Sequence, residues 1–210
     1  MKTWKLVSLV LVGLVSAGAI ASFVQKRSEG VKLNATEMPV PYEIADFTLT
    51  RTDGQVLSRK DFLGKYTLLY FGFTRCPDAC PTTLAQWKAA IPKLSPDAKS
   101  NTQLLLVSVD PEHDTHEILS DYVKKFDPSI VAATGEQKEL QKIANAMMTT
   151  FHKEGENAGD PDLYMMAHSP KYFLINPNAQ LQAVYTPPIE TAVLADDLNR
   201  LADKQASRLF

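Results

Sequence analysis

The fold is decided by the stretch Tyr66-Thr-Leu-Leu-Tyr-Phe-Gly-Phe-Thr-Arg-Cys76-Pro-Asp-Ala-Cys80-Pro81. Its first eight residues form a near-continuous run of Leu, Tyr and Phe, which is typical of a strand buried on both faces. From Pro81 to Leu94, apolar side chains recur at the spacing of a helix, at Leu84, Trp87, Ala90 and Ile91. Both cysteines therefore lie where a buried strand ends and a helix begins.

The pattern on either side of this stretch predicts further strands and helices. Upstream, Asp46–Thr50 and Val56-Leu57 flank the turn Thr52–Gln55, which predicts a hairpin. Downstream, we expect a strand at 103–109, a loop at 155–162, a hairpin at 171–175 and 181–185, and helices at 115–126, 136–151 and 189–201. The predicted buried faces are Ile118, Leu119, Tyr122 and Phe126 in the first helix, and Leu140, Ile143, Ala144, Met147 and Met148 in the second.

This order of elements predicts one α/β domain. Strands separated by helices pair in parallel, and the closing hairpin adds antiparallel strands, so the central sheet is mixed and flanked by helices. A strand, a cysteine motif that opens a helix, further β-α units and a terminal hairpin and helix match the plan of the thioredoxin-like fold.

The amino terminus predicts export. Lys2 and Lys5 precede the uncharged run Leu6–Val24, which as a helix reaches about 28 Å, close to the thickness of a bilayer core. The run fits either an uncleaved anchor or a bacterial signal peptide with Ala19-Ile20-Ala21 available for cleavage. We therefore assign 1–24 to a hydrophobic helix acting as signal anchor or signal peptide, 25–41 to a linker and 42–205 to the domain. The expected location is the bacterial inner membrane with the domain facing the periplasm, or the periplasm itself after cleavage.

The overall composition excludes some classes of function. A formal net charge of −2 and the absence of a basic run interleaved with aromatic residues argue against a nucleic-acid partner. The chain has 2 cysteines, too few for the disulfide framework of a small secreted domain. The cysteine pair therefore has a local role: redox chemistry, metal binding or a short stabilising disulfide.

The position and spacing of Cys76 and Cys80 narrow these roles. Unpaired N–H groups at a helix start, together with the neighbouring Arg75, favour the thiolate form, which both attacks disulfides and binds metals. Residues four apart on a helix have Cβ atoms about 5–6 Å apart, whereas a relaxed disulfide needs about 3.8 Å. A disulfide that closes so short a loop would stabilise the fold by only about 2 kcal/mol. Three intervening residues also differ from the C-x-x-C of ordinary dithiol oxidoreductases. Metal binding and redox chemistry both stay open.

A histidine can complete a metal site, and His168 is the best placed of the four. Thiolate with imidazole suits copper, and a pair of sulfurs favours Cu(I). In thioredoxin-like domains a cis-proline faces the active cysteines. If Pro170 is that proline, His168 lies two residues before it and can lean toward Cys76 and Cys80.

The other candidate ligands have simpler interpretations. His113 and His116 lie in a strand-to-helix loop in which Asp114 can cap the helix, although a secondary metal role is open. His152 is expected on the surface at a helix end. Four methionines could also offer thioethers to Cu(I). We expect Met147 and Met148 to pack in a helix core. Met165 and Met166 lie close to His168 in the sequence.

These motifs together resemble the Sco/SenC family of copper proteins over about residues 42–200. The matching pieces are Asp53-Gly54, Gly64-Lys65, the block Tyr70–Leu84 with both cysteines, Ser108–Glu112 with Asp114-Thr115, and His168-Ser169. Family members have thioredoxin-like domains tethered by one amino-terminal helix. They are associated with delivering copper to the dinuclear centre of cytochrome c oxidase and with reducing the cysteines of that centre.

The resemblance implies copper, as Cu(I) or Cu(II), bound by Cys76, Cys80 and His168. It also makes Asp78 and Asp110 candidates for supporting the ligands or docking a partner. Two positions depart from the family: Ala167 stands where an acidic residue is common, which puts the orientation of His168 in doubt, and His113 stands where Arg or Lys is usual.

The resemblance therefore favours a copper chaperone whose partner is the copper-bearing subunit of cytochrome c oxidase or another cuproprotein. The alternative is an extracytoplasmic thiol–disulfide oxidoreductase with Cys76 and Cys80 as redox-active thiols that can form a disulfide. The two roles can coexist, so enzyme activity stays open. A peroxidase of the peroxiredoxin type is a third interpretation, weakened because those enzymes place the attacking cysteine in a different motif.

Overall fold

The computed structural model describes residues 31–155 and 164–209, and they contain an eight-stranded mixed sheet flanked by helices. The thioredoxin-like α/β fold predicted from the sequence is confirmed. By its internal contacts the chain divides into two units, Met1–Lys32 and Leu33–Phe210, and the sheet belongs to the second. The first lies almost wholly outside the described residues.

The strands and helices are numbered here in chain order. The strands are β1 (Thr36–Glu43), β2 (Thr48–Arg51), β3 (Val56–Ser58), β4 (Tyr66–Gly72), β5 (Thr102–Ser108), β6 (Val131–Thr134), β7 (Phe151–Glu154), β8 (Met165–His168), β9 (Tyr172–Ile175) and β10 (Gln180–Tyr185). The α-helices are α1 (Ala79–Ala90), α2 (Pro96–Asn101), α3 (His116–Lys124), α4 (Gln137–Ala146) and α5 (Thr191–Leu209), and 3-10 turns lie at Arg59–Phe62 and Ile91–Lys93.

The main sheet has the strand order β1-β10-β9-β4-β5-β6-β2-β3. Strands β4, β5 and β6 run parallel at its centre, and antiparallel strands flank them on both sides. Every residue of β4 is buried, as expected for a strand covered on both faces. Helices α1 and α2 pack against α5, whereas α3 contacts β6 and α4 contacts β2. The stretch that begins at Tyr66 is therefore the middle of the core.

Two predicted helices differ from the structure in their ends and faces. Thr115, rather than Asp114, caps α3 by accepting a hydrogen bond from the Ile118 N–H at 3.2 Å. Val123 is buried in this helix, whereas Ile118 is 40% exposed. The next helix, α4, ends at Ala146 and not at 151, because Met148 adopts a left-handed backbone with φ 52. The prediction that Met148 packs in a helix core is therefore wrong.

Several elements have no counterpart in the prediction. The range 25–41 was expected to be an irregular linker, but β1 begins within it and pairs with β10. Helix α2 and strand β6 were also missed. Strands β7 and β8 form a separate two-stranded ribbon, with Phe151 opposite His168. Phe151 was expected to end a helix and instead opens a strand.

The hydrophobic segment predicted to be a helix, residues 1–24, lies outside the described residues. Among the helices in residues 31–155 and 164–209, none combines the length and apolar character needed to cross a membrane. The five helices given above belong to the folded domain.

Candidate metal centre

The end of β4 positions the two cysteines. Cys80 is buried in the first turn of α1, whereas Cys76 is partly exposed in the loop before it. The backbone N–H of Cys80 donates to Cys76 Sγ at 3.4 Å, so an amide of the helix start serves the first sulfur. The Tyr70 hydroxyl donates to Cys80 Sγ at 3.7 Å. No disulfide joins Cys76 to Cys80 in this structure.

Gly72, the last residue of β4, makes room for the buried sulfur. A Cβ atom at this position would lie 3.0 Å from Cys80 Sγ and 2.9 Å from a ring carbon of Tyr70. Those separations are far inside ordinary van der Waals contact, so a larger residue here would displace the thiol or the ring. A glycine inside a strand often marks such a close approach, and this signal was present in the sequence.

The register of β9 brings His168 to the same place. Because β9 runs antiparallel to β4 with Tyr172 opposite Tyr70, the segment entering β9 arrives at the carboxyl end of β4. His168 Nε2 lies 3.8 Å from Cys80 Sγ. One ligand atom from each of Cys76, Cys80 and His168 lies within 4.8 Å of the other two. The structure therefore brings together the three residues singled out in the sequence.

The environment of the His168 ring leaves Nε2 facing the sulfurs. Its Nδ1 lies 3.2 Å from the carbonyl oxygen of Ser169. In the neutral imidazole, a proton on Nδ1 donates to that oxygen and leaves a lone pair on Nε2. Tyr70 and Phe73 contact the ring edge-on, with centroids at 5.7 and 5.8 Å. These edge-on neighbours orient the ring.

The premise used to place His168 was wrong in one detail. The cis peptide bond among the described residues joins Pro187 and Pro188, so Pro170 is not a cis-proline. His168 reaches the cysteines through its position at the end of the β7–β8 ribbon and the register of β9.

The two thiols differ in acidity. A hydrogen bond from Cys80 is the largest cause that lowers the pKa of Cys76 to about 5, and backbone N–H groups of Cys80 and Asp78 add to it. The same shared proton, together with burial, raises the pKa of Cys80 far above its ordinary value. The pair therefore holds one thiolate, on the more exposed sulfur, and one thiol.

A network of polar side chains ties the cysteine loop to the ribbon. Arg75, next to Cys76, donates to the buried carboxylate of Asp110 at 2.9 Å. The Tyr164 hydroxyl, immediately before β8, donates to the other oxygen of Asp110 at 2.5 Å. The Arg75 guanidinium and the Lys153 ammonium lie 4.3 and 4.4 Å from the centroid of the Tyr164 ring. We call Arg75, Asp110 and Tyr164 the loop–ribbon clamp.

The clamp shows what Asp110 does and which residue sequence reasoning missed. Asp110 contacts Arg75 and Tyr164 rather than a cysteine, so it acts on the loop and the ribbon. Burial, and then the hydrogen bond to Asp110, raise the pKa of Tyr164 to about 12, which keeps its hydroxyl protonated as a donor. Nothing in the local sequence around Tyr164 indicated this contact, because Asp110 is 54 residues away.

A second group of possible ligands is formed by Asp110, His113 and Asp114. Asp114 is fully buried and accepts hydrogen bonds from Ser108 Oγ at 2.5 Å and from the Thr74 backbone N–H at 3.0 Å. His113 Nδ1 lies 3.1 Å from the same carboxylate. Asp114 therefore fixes the loop that follows β4, and hydrogen bonds account for it without a metal.

The remaining candidates lie apart from the three ligand atoms. His116 is exposed at the start of α3. His152 lies on β7, not at a helix end, and pairs with Glu154 on the exposed face of the ribbon. Met165 is 43% exposed and Met166 is buried, both on β8. Asp78 is exposed and accepts a hydrogen bond from Thr82 at 3.3 Å.

The donor set formed by Cys76, Cys80 and His168 fits a soft metal ion. Two sulfurs and one imidazole nitrogen are the ligands that Cu(I) prefers. Structural zinc sites almost always use four protein ligands. The described residues supply three His, Cys, Asp or Glu ligands in this group. The arrangement can hold a metal at the protein surface through Cys76, or exchange thiols with a partner.

Comparison with known proteins gives a consistent family. The SCO1/SenC family model matches residues 36–203. The SCO1 homolog 1 of Arabidopsis thaliana mitochondria is 36% identical over 139 residues, which are 66% of this chain and 41% of the relative. A putative copper-binding protein of Stutzerimonas stutzeri is 28% identical over 172 residues, 82% of this chain and 83% of that protein.

A solved structure agrees with these relatives. The crystal structure of Arabidopsis thaliana ScoI with copper bound has 32% sequence identity and a TM-score of 0.65, and covers 79% of this chain and 98% of that one. The chain spans less than half the length of the mitochondrial SCO1 homologues of Arabidopsis thaliana and Homo sapiens that it matches.

Proposed function

Because this chain belongs to the SCO1/SenC family, we propose that it binds copper as cargo and serves the assembly of cytochrome c oxidase. The resemblance implies Cys76, Cys80 and His168 as the residues that hold the metal. The observation that carries the proposal is their geometry: two sulfurs and Nε2 of one imidazole lie within 4.8 Å of one another. A solved relative with copper bound supports the choice of metal.

The two sulfurs would divide the work of holding and releasing copper. Cys80 is buried beneath Tyr70 and Gly72, so it supplies a fixed donor. Cys76 is partly exposed and lies in a loop, so a ligand from a partner can approach it. A thiolate on Cys76 needs no deprotonation before it binds the ion. This asymmetry suits transfer to an acceptor rather than permanent storage.

The family and the amino terminus support a proposal for the recipient and the location. We propose the copper-bearing subunit of cytochrome c oxidase, or another cuproprotein, as the acceptor. We further propose that residues 1–24 export the protein and either anchor it in the bacterial inner membrane or are cleaved, leaving the domain in the periplasm.

Copper titration tests the ligand assignment. Reduced wild type, His168→Ala and His152→Ala are titrated with Cu(I) against a chromogenic chelator without oxygen. We expect one tightly bound equivalent in wild type and at least about tenfold weaker binding in His168→Ala, because even residues that only support a ligand change affinity that much. His152→Ala removes an exposed imidazole from the same ribbon and should behave as wild type. Equal affinity of wild type and His168→Ala would refute the assignment.

A second candidate function is reduction of a partner disulfide, favoured by the unequal burial of the two free thiols. The Cys76 thiolate would attack one partner sulfur, forming a mixed disulfide and releasing one partner thiolate. The Cys80 sulfur would lose its proton and attack Cys76, which forms the Cys76–Cys80 disulfide and releases the second partner thiolate. Two electrons pass to the partner disulfide, and its two sulfurs take up two protons, one released by Cys80 and one from the solvent.

His168→Ala separates the two functions because exchange needs only the thiols. We expect this variant to reduce a disulfide-bonded test peptide at a rate within about twofold of wild type, although it has lost its tight copper. In cells grown at limiting copper, the same variant should lower cytochrome c oxidase activity if copper delivery is the role. Normal oxidase activity with His168→Ala, but not with Cys76→Ser, would instead assign the thiol exchange as the function.

A further inference from the structure

A cavity of about 230 Å³ lies beside the start of β9 and is lined by three methionines. Met38 comes from β1, whereas Met147 and Met148 follow α4. The whole chain has 6 methionines, so half of them line this one cavity. Apolar packing does not require methionine, because Leu, Ile and Val also fill core space.

The backbone around the cavity is irregular at both of its methionine-bearing segments. Strand β1 pairs with β10 at Glu37 and again at Tyr42, but only one residue of β10 lies between the two partners. Met38 therefore lies in a bulge, a feature that often re-aims a side chain. Met148 has φ 52, a conformation that is costly for a residue other than glycine or asparagine.

The three methionine side chains differ in solvent exposure, from fully buried to largely exposed. Met147 is 1% exposed, Met38 is half-buried and Met148 is 61% exposed. An apolar side chain held at a cavity mouth in a strained conformation contributes little to packing. Because a methionine side chain has three rotatable bonds, Met148 can turn its sulfur inward over the cavity.

The chemistry of the lining selects the kind of ligand. Thioethers are soft, uncharged donors that bind Cu(I) and not hard cations such as Mg²⁺ or Ca²⁺. Among the described residues that line the cavity there is no carboxylate, imidazole or thiol. One cation, Lys171, also lines it, but this residue is exposed and its long side chain can keep the ammonium group in water.

We propose that this cavity is a second soft-metal site, in which the thioether sulfurs of Met38, Met147 and Met148 bind one Cu(I) ion. Uncharged thioethers hold Cu(I) more weakly than thiolates do, so the site suits transient loading. Lys171 in its lining follows His168 by three residues, which places the cavity on the segment that carries the histidine. The site uses none of the residues of the Cys76–Cys80–His168 group and does not depend on the function proposed for it.

The test removes the ligands Cys76, Cys80 and His168 and measures whether the cavity still binds a soft metal ion. A variant carrying Cys76→Ser, Cys80→Ser and His168→Ala is titrated with Ag(I), a redox-inert substitute for Cu(I). Methyl spectra with labelled methionine report which thioethers respond. We expect one equivalent of Ag(I) to bind and to shift the signals of Met38, Met147 and Met148. Adding Met38→Leu and Met148→Leu, which keep the apolar volume, should weaken binding at least tenfold.

Met165→Leu is the matched control, because this exposed methionine lies outside the cavity. It should leave Ag(I) affinity within twofold of the parent variant. Absence of Ag(I) binding, unchanged binding after the two cavity substitutions, or an equal shift of the Met165 signal would each overturn the proposal. If the triple variant does not melt cooperatively, wild type and the double variant Met38→Leu/Met148→Leu are titrated with Cu(I) instead. The proposal then requires a second bound equivalent in wild type and its weakening in the double variant.

Discussion

Cys76 and Cys80 lie four residues apart, yet their surroundings give them different acidity and exposure. The amide of Cys80 and the Cys80 thiol both stabilise a thiolate on Cys76. The Cys80 sulfur lies between Tyr70 and the His168 ring, in the space that the missing side chain of Gly72 leaves. A partly exposed thiolate beside a buried thiol suits both metal binding and thiol exchange. The residues around the pair fix the acidity of the two sulfurs, but they do not identify the molecule with which the pair reacts.

Alkylation of reduced, metal-free protein measures the acidity of Cys76. Since a pKa lowered to about 5 means that Cys76 is already a thiolate at neutral pH, the iodoacetamide rate should reach a plateau by about pH 6.5. The rate should fall as pH drops through 5. Cys80→Ala removes the largest cause of the shift, so the pKa of Cys76 should rise and the plateau should move to higher pH. A wild-type rate that still climbs tenfold per pH unit between 7 and 8 would contradict the assignment.

The β7–β8 ribbon is the element that decides where His168 lies. It is separate from the main sheet and is connected to it through the loop–ribbon clamp and the segment that enters β9. Glu112 and Lys153 add an ion pair with N···O of 2.6 Å on the exposed side. Because the clamp includes the residue next to Cys76, the loop and the ribbon cannot move independently. The spacing between thiol and imidazole is therefore set by contacts outside the three ligands.

Tyr164→Phe tests the clamp at the level of one hydroxyl. The variant keeps the ring that Arg75 and Lys153 contact but removes a donor to the buried Asp110 carboxylate, which should lower the free energy of unfolding by about 1.5–3 kcal/mol. The measurement is denaturant unfolding of metal-free protein. Tyr122→Phe is the matched control, because the buried Tyr122 hydroxyl has no hydrogen-bond partner among the described residues. Equal effects of the two substitutions would show that the clamp bond contributes nothing.

Across the whole molecule, the segment before the predicted domain start is part of the fold. Asn34 donates to the fully buried Asp197 carboxylate from its backbone N–H at 2.8 Å and from Nδ2 at 2.9 Å. The Tyr185 hydroxyl donates to the same carboxylate at 2.9 Å. Strand β1 then covers β10, which would otherwise be an edge, and carries Pro39 and Pro41, residues that discourage further strand pairing.

Two truncations test this attachment. A protein that begins at residue 31 keeps Asn34 and β1, and should unfold in one cooperative transition. A protein that begins at residue 44 leaves Asp197 without both Asn34 donors, so it should be less stable by at least about 3 kcal/mol, at about 1.5 kcal/mol for each bond to a charged group. Guanidinium unfolding of the two proteins gives the difference. Equal midpoints would show that residues 31–43 are dispensable for folding.

Local pattern alone determined much of this protein. The buried run from Tyr66, the helical spacing after Pro81 and the closing hairpin predicted the fold class, because burial on one face or on both imposes a period that neighbouring residues display. The same stretch placed the cysteines at a helix start. The motifs around it identified the family. The sequence also predicted that His168 lies near the cysteines, and the structure places it there, although Pro170 is not the cis-proline on which that prediction relied.

Tertiary structure alone decided the rest, because those features depend on contacts between segments far apart in the chain. The burial of Val123 instead of Ile118 depends on how α3 meets β6, and the left-handed turn at Met148 ends a helix that the local pattern would continue. The contact between Tyr164 and Asp110 joins residues 54 apart. No periodicity encodes which distant segments meet, so the clamp, strand β1 and the methionine cavity emerge only when strand register and packing are fixed together.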